Sequence, residues 1–133
     1  MTLTPEQDAY LKSHRQGILG TGRRDGSPQL STVNYLFDGT HFWMSVTSDR
    51  AKWVNAMRQP RVALLVPEGG RQVSVYGTAE GIEEPALRNA MTRRLRAGGA
   101  NAAPDDEALF TRTLDEQKRV ILKITPTQVI GQG

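Results

Sequence analysis

The sequence predicts a mainly β fold of the α+β class: a small antiparallel barrel of about six strands, decorated by short helices. Three features carry that expectation. Short apolar runs recur along the chain, from Ile18–Gly22 to Arg119–Thr125. The junctions flanking Leu30–Phe37 hold Asp25-Gly26 and Asp38-Gly39, and Asp-Gly between apolar runs signals a hairpin because glycine accepts the positive φ of a type I′ turn. Helical patterns are confined to the N-terminus, to the segment after the third strand and to the stretch before the last one.

Each element follows from local chemistry. Thr4-Pro5-Glu6-Gln7 opens a helix, with Thr4 as cap, Pro5 at the first helical position and Gln7 completing a capping box. It runs to about Ser13, and His14 beyond it reads as a surface or capping residue. Gly17, Gly20 and Gly22 punctuate the first strand, where bending is the expected reason for them. Leu30–Phe37 alternates, with Val33, Tyr35 and Phe37 on one face and Leu30, Thr32, Asn34 and Leu36 on the other. Leu30 and Leu36 mark the second face as partly buried, so Thr32 and Asn34 there have two readings. They bind a flat polar ring, or they face solvent or a neighbouring subunit.

His41–Thr47 is the third strand, with Phe42, Met44 and Val46 opposing Trp43, Ser45 and Thr47. It leads into Ser48-Asp49, good helix caps, and a helix ending before Pro60, with Val54 and Met57 on one side and Lys52, Asn55 and Gln59 elsewhere. Arg61–Val66 reads as a strand buried on both faces. Gln72–Glu84 is a long strand with Gly77 as a bend. Pro85–Arg96 is helical, with Leu87, Met91 and Leu95 on one stripe. Its Arg88, Arg93, Arg94 and Arg96 read first as a solvated face, and second as contacts for an anionic cofactor tail or substrate. Pro104–Gln117 is another helix with Leu109, Phe110 and Leu114 inward. Arg119–Thr125 closes the barrel, Pro126 ends it, and Thr127–Gly131 adds a short run.

With 133 residues and no internal boundary, one domain spanning residues 1–133 is expected. The 38% apolar content is modest, and small polar-rich domains often complete their core across an interface. A net charge of +3 with scattered basic residues suits small anions as well as nucleic acid. The absence of cysteine excludes disulfides, thiolate metal sites and a cysteine nucleophile. No apolar run spans a bilayer, so no membrane association and a cytoplasmic location are expected. Metal-ligand spacings, nucleotide-binding glycine motifs and a histidine-centred catalytic pair are all missing. An enzyme built from these residues needs a cofactor to carry its chemistry.

Arg50 and Lys52 flank Ala51 in the first helical turn after the third strand, where cations oppose the helix dipole. Either the turn is simply solvated, or backbone N–H groups and both cations converge on an anion.

Asp-Gly-x-Pro at 25–28, a strand, Asp38-Gly39, a strand, Arg-Ala-Lys at 50–52, Asn55 and Arg-x-Pro-Arg-Val at 58–62 together resemble the flavin- and deazaflavin-binding split-barrel proteins related to pyridoxamine 5′-phosphate oxidase. The small subgroup of F420-dependent enzymes is the nearest match. The resemblance implies a six-stranded, Greek-key-like split β-barrel, a homodimer with cofactor sites at the subunit interface, and F420 as cofactor, with FMN as second choice. It implies that Arg50, Ala51 and Lys52 hold the cofactor phosphate. Ser45, Val46 and Thr47 would pass beside the cofactor, and Thr32, Val33 and Asn34 would face its ring or side chain. The implied activity is hydride transfer to or from a small molecule. The chain ends at Gly133 without the Arg- and Pro-containing segment of true pyridoxamine phosphate oxidases, which argues against vitamin B6 oxidation. Two other functions are weighed. One is a non-catalytic flavin- or haem-type binding protein on the same barrel. The other is a single-stranded nucleic-acid-binding barrel, using Tyr35, Phe37 and Trp43 as a stacking platform.

Overall fold

The computed structural model describes residues 1–132. In chain order the elements are α1 (Pro5–Ser13), β1 (Gln16–Gly22), β2 (Pro28–Asn34), β3 (Leu36–Phe37), β4 (Phe42–Thr47), α2 (Ala51–Arg58), β5 (Arg61–Glu68), β6 (Arg71–Ile82), α3 (Pro85–Arg96), α4 (Glu107–Glu116) and β7 (Arg119–Gln132). The strands form one antiparallel sheet in the order β2-β1-β5-β6-β7-β4-β3. Because β2 and β3 follow one another in the chain yet lie at opposite edges, the sheet must curl, and β2 approaches β4 across the gap. The split sits at Tyr35, whose amide donates to Arg15 O at the end of the β1–β2 pairing, before Leu36 pairs with Trp43. The expected Leu30–Phe37 strand is therefore two strands, which makes the count seven rather than six.

The barrel interior holds the alternating set anticipated from the sequence. Val33, Tyr35, Phe37, Phe42, Met44 and Val46 meet Leu19, Leu64, Val75, Leu122 and Ile124, all buried. Continuous burial of this kind is the dominant stabilising contribution, roughly 1.5–3 kcal/mol for each large side chain. Phe37 and Phe42 stack with centroids 4.3 Å apart. Tyr35 and Trp43 are equally enclosed, at 1% and 7% exposure, so the three aromatics proposed as a nucleic-acid stacking platform belong to packed interiors. That removes the side chains on which the nucleic-acid reading rested.

Both early turns work through carboxylates. Asp25 Oδ1 accepts from the amide and hydroxyl of Ser27, while Gly26 takes a φ of 88°. Asp38 Oδ1 accepts from the amides of Thr40 and His41, and its Oδ2 accepts from Trp43 Nε1. Among the described non-glycine residues only Lys118 has positive φ. The type I′ geometry expected from Asp38-Gly39, which needs positive φ at both central residues, is thus replaced by an Asp-anchored loop.

Three further expectations change. The helix α2 starts one residue past the expected caps: Arg50 is its N-cap, with no capping side chain. Its buried face carries Trp53, Asn55 and Ala56, whereas Val54 and Met57 are exposed. Trp53 closes one end of the barrel against Gly81, where any Cβ would come within 2.5 Å of the indole, and Asn55 donates to Thr21 Oγ1. Strand β5 is buried on one face only, since Ala63 and Leu65 line the outside of the sheet. Finally, Pro126 does not end β7. The β6–β7 register shifts between Tyr76 and Gly77, leaving Thr127 as the extra residue, and the strand continues to Gln132. Gly77 is the expected bend: a Cβ there would stand 2.5 Å from Thr125 O.

Candidate functional site: a cationic cluster on the outer face of the third strand pair

Strand β4 pairs with β7, placing Ser45 opposite Ile121 and Thr47 opposite Arg119. Odd-numbered residues of β4 point away from the barrel core. Trp43 there packs with Ile121 and Met91 beneath α3. Further along, the same face turns polar. Ser45 Oγ, Thr47 Oγ1 and Arg119 Nε are all shielded from solvent, and none of them has a hydrogen-bond partner. Buried polar atoms are nearly always satisfied, so a group of three on one strand pair points to a binding role. Immediately beyond Thr47 the chain turns, Arg50 N donating to Thr47 O, and enters α2 with no acidic residue in its first turn. The first-turn N–H groups and the side chains of Arg50 and Lys52 therefore open beside the two hydroxyls.

The electrostatics are one-sided. Partial burial, then the like charges of Arg50 and Arg119, hold the Lys52 ammonium below its ordinary pKa. Burial, then Arg119, acts in the same direction on Arg96 at the C-terminal end of α3. Among the described residues, no carboxylate forms an ion pair with Arg50, Lys52, Arg96 or Arg119. The nearby Asp49 is held below the ordinary carboxylate range mainly by the Thr47 hydroxyl, with smaller help from Lys118 and Arg50. The Thr47 hydroxyl nevertheless does not reach that exposed carboxylate in hydrogen-bond geometry. Cations beside unfilled hydroxyl groups have the charge and the hydrogen-bond donors that suit a phosphate-like anion.

Of the residues expected from the sequence, Ser45 and Thr47 share this face and Arg50 and Lys52 follow at the entrance of α2, whereas Ala51 lines a separate hollow with Arg23, Asp25, Asp49 and Arg58. Val46 and Val33 do not present side chains to the cluster, because both lie in the barrel core at 2% and 6% exposure. Thr32 and Asn34 are exposed on β2, paired with Ile18 and Gln16 at the other edge of the sheet order, and no hydrogen bond links them to the cluster. The partly buried face expected for them is open: Leu30, their neighbour, is 66% exposed. Arg119 was missed, and Arg96 was read only as one of four α3 arginines with an anionic cofactor tail as the second reading. The β4–β7 register that sets Arg119 opposite Thr47 is not visible in the local sequence.

A separate apolar groove of about 600 Å³ runs over the outside of β1, β5 and β6, lined by Gly20, Pro28, Leu30, Ala63, Tyr76 and Thr78. A second hollow continues it toward Ile18 and Leu65. Gly20 keeps this surface low, since a Cβ there would touch Leu30 at 3.4 Å. The proton-donor candidates lie apart from the cluster. Tyr35 OH donates to Leu11 O at 2.7 Å, and burial pushes its phenol far above the ordinary range. His14 stacks on Tyr10 and lies 3.4 Å from Glu68, and His41 sits edge-on to Trp43. Tyr76, in contrast, is 44% exposed in the apolar groove.

Comparison with known proteins accounts for this architecture. A family model described as pyridoxamine 5′-phosphate oxidase matches residues 3–133. The chain belongs to the pyridoxamine 5′-phosphate oxidase family. Among solved structures it is similar to a conserved hypothetical protein, Rv2991, of Mycobacterium tuberculosis, with 27% identity, TM-score 0.81, and coverage of 99% of this chain and 85% of that one. It is also similar to an F420 reductase, with 26% identity, TM-score 0.74, and coverage of 97% and 98%. The haem storage protein HutZ of Vibrio cholerae shares the fold at 15% identity and TM-score 0.72, covering 100% of this chain and 96% of that one. None of the described helices is long and apolar enough to cross a membrane.

Proposed function

We propose that this family member is an oxidoreductase that uses coenzyme F420, or FMN in its place, to reduce or oxidise a small molecule. The single observation that carries the proposal is the cationic cluster of Arg50, Lys52, Arg96 and Arg119 around the unpartnered Ser45 and Thr47 hydroxyls. Those groups fit a cofactor phosphate. The hydroxyls donate to its oxygens, Arg50 offers a planar two-point contact, and Lys52 offers a point charge at the helix entrance. When bound, the cofactor ring supplies hydride chemistry, while the chain anchors the phosphate and orients the ring. The likeness to an F420 reductase over nearly the whole chain supports F420 as first choice.

The reading includes a homodimer. Neither tryptophan needs a partner, because Trp43 and Trp53 are both 7% exposed within one chain, so the argument for a second copy falls on the outward apolar strand positions. What supports it is the apolar groove and its neighbours Leu30, Tyr76 and Ile130, at 66%, 44% and 50% exposure, on the outer face of the sheet. A second copy covering that face would also enclose Thr32 and Asn34. Titration of the purified chain with F420, FMN and riboflavin, followed by fluorescence, tests the cofactor assignment. Micromolar or tighter binding of a phosphorylated cofactor is expected, with riboflavin at least about tenfold weaker for loss of the charge-assisted contacts. Equal affinity for FMN and riboflavin would refute the phosphate site. Light scattering at a monomer mass of 14.7 kDa would refute the dimer.

A further inference from the structure

We propose that Arg96 and Arg119 form a second wall of the anion site, supplied by α3 and β7, which makes the α3–α4 hairpin a selectivity arm for phosphorylated ligands. The proposal rests on the cofactor reading above for the identity of the ligand, but its geometry stands by itself.

The hairpin is an arginine-carrying arm whose cations are sorted by partner. Arg88, expected on a solvated face, is 4% exposed and reaches Asp115 at 2.6 Å and Asn89 Oδ1 at 3.0 Å. Asn89 in turn donates to Glu107 at 2.7 Å and to Thr111 at 2.8 Å. Arg93 donates to Glu107 at 2.8 Å and to Pro104 O at 2.7 Å, with its guanidinium 4.5 Å from the Phe110 centroid. These contacts clamp α3 to α4 and use up the local carboxylates. Arg94 is exposed. Arg96 differs from all three: it is half-buried, lies 5.8 Å from the same Phe110 ring, and has no ion-pair partner among the described residues.

Leu95, its neighbour on α3, packs against Trp43 and Ile121, which sets Arg96 beside the β4–β7 strand pair that carries Arg119. The helix α3 packs across β4 and β7, Arg119 stands opposite Thr47 in the ladder, and its Nε is shielded without an acceptor. Bringing Arg96 toward Arg119, and Arg119 toward Lys52, costs the ligand-free protein favourable electrostatics in a partly desolvated place. The lowered values of Arg96 and Lys52 register that cost. Clustered guanidinium groups match the several oxygens of a phosphoryl group, and the ring of Phe110 fixes the direction from which Arg96 approaches. The two walls would grip the group from opposite sides: Arg50 and Lys52 from α2, Arg96 and Arg119 from α3 and β7.

The test compares the full chain with R96Q, R96K and R119Q. FMN, F420, riboflavin and inorganic pyrophosphate serve as probes, and melting temperature is measured with and without each. We expect R96Q and R119Q to weaken FMN and F420 by about tenfold or more, to leave riboflavin unchanged and to leave the ligand-free melting temperature equal or higher. R96K should recover part of the loss. Cofactor binding by R96Q equal to the parent overturns the proposal. So does an equal loss for riboflavin and FMN together with a lowered ligand-free melting temperature, the signature of a merely structural arginine. A parent that binds neither cofactor refutes the cofactor reading separately. In that case pyrophosphate decides: stabilisation of the parent but not of R96Q sustains the arginine wall, and no difference overturns it.

Discussion

Removing the Ser45 and Thr47 hydroxyls should move stability and affinity in opposite directions. Ser45→Ala and Thr47→Val delete one hydroxyl each with little change of shape, and both hydroxyls are shielded without a hydrogen-bond partner in the ligand-free chain. A buried polar group left unsatisfied costs roughly 1–3 kcal/mol. Taking the lower end, because each residue is half-buried rather than sealed, each substitution should stabilise the free protein by about 1 kcal/mol. For a chain of 133 residues that corresponds to a rise in melting temperature of about 3–5 °C. The same hydroxyls, donating to a phosphate, make charge-assisted hydrogen bonds with a net contribution of about 1.5–3 kcal/mol. Loss of one should therefore weaken F420 or FMN about 10- to 150-fold. Thermal denaturation with and without cofactor, together with fluorescence titration, reads both signs on one preparation. If either variant melts lower than the parent without ligand, the hydroxyl has a structural partner and the reasoning fails. If both bind cofactor like the parent, the site does not use them.

Lys52→Ala should weaken phosphorylated cofactors by a comparable factor with the fold retained, and Arg50→Lys should weaken them too, since an ammonium cannot reproduce a two-point contact. Isothermal titration of both variants against FMN and F420 checks this. Tyr35→Phe should cost about 1–2 kcal/mol, because Leu11 O loses its donor inside the core. The phenol's raised folded-state pKa stabilises the native state fully below the unfolded value near 10, and that contribution falls away as pH climbs above it. Denaturant midpoints between pH 8 and 11 should consequently fall less steeply for Tyr35→Phe than for the parent; parallel profiles would count against the burial argument. His14→Ala and His41→Ala should leave single-turnover hydride transfer within a few-fold of the parent, because neither ring reaches the cationic cluster. A general acid would be worth on the order of 10²–10⁴-fold, so a loss above about a hundredfold at unchanged affinity would expose a missed proton donor.

The elements and their chemistry are local properties, which is why the sequence by itself determined them. The capping box of Thr4 and Gln7, the shared faces of Val33, Tyr35 and Phe37 and of Phe42, Met44 and Val46, and the bend at Gly77 follow from spacing, steric freedom and hydrogen-bonding capacity within a few residues. The basic helix start at Arg50 and Lys52 was legible for the same reason, with an anion as one of its two readings, whereas Ser45 and Thr47 entered only through the family resemblance. Only the tertiary structure decided the rest. Which face of α2 is buried could not be read locally, since Val54 and Met57 are more apolar than Asn55 and yet exposed. Asn55 meets Thr21 across the barrel mouth, and Trp53 fills the space that Gly81 leaves open. Arg96 and Arg119 lie far along the chain from Thr47, and no periodicity distinguishes Arg96 from the ion-paired Arg88 and Arg93 on the same helix. Which arginine keeps a carboxylate and which is left without one depends on strand register and helix docking, and these are set by the burial of residues elsewhere in the chain.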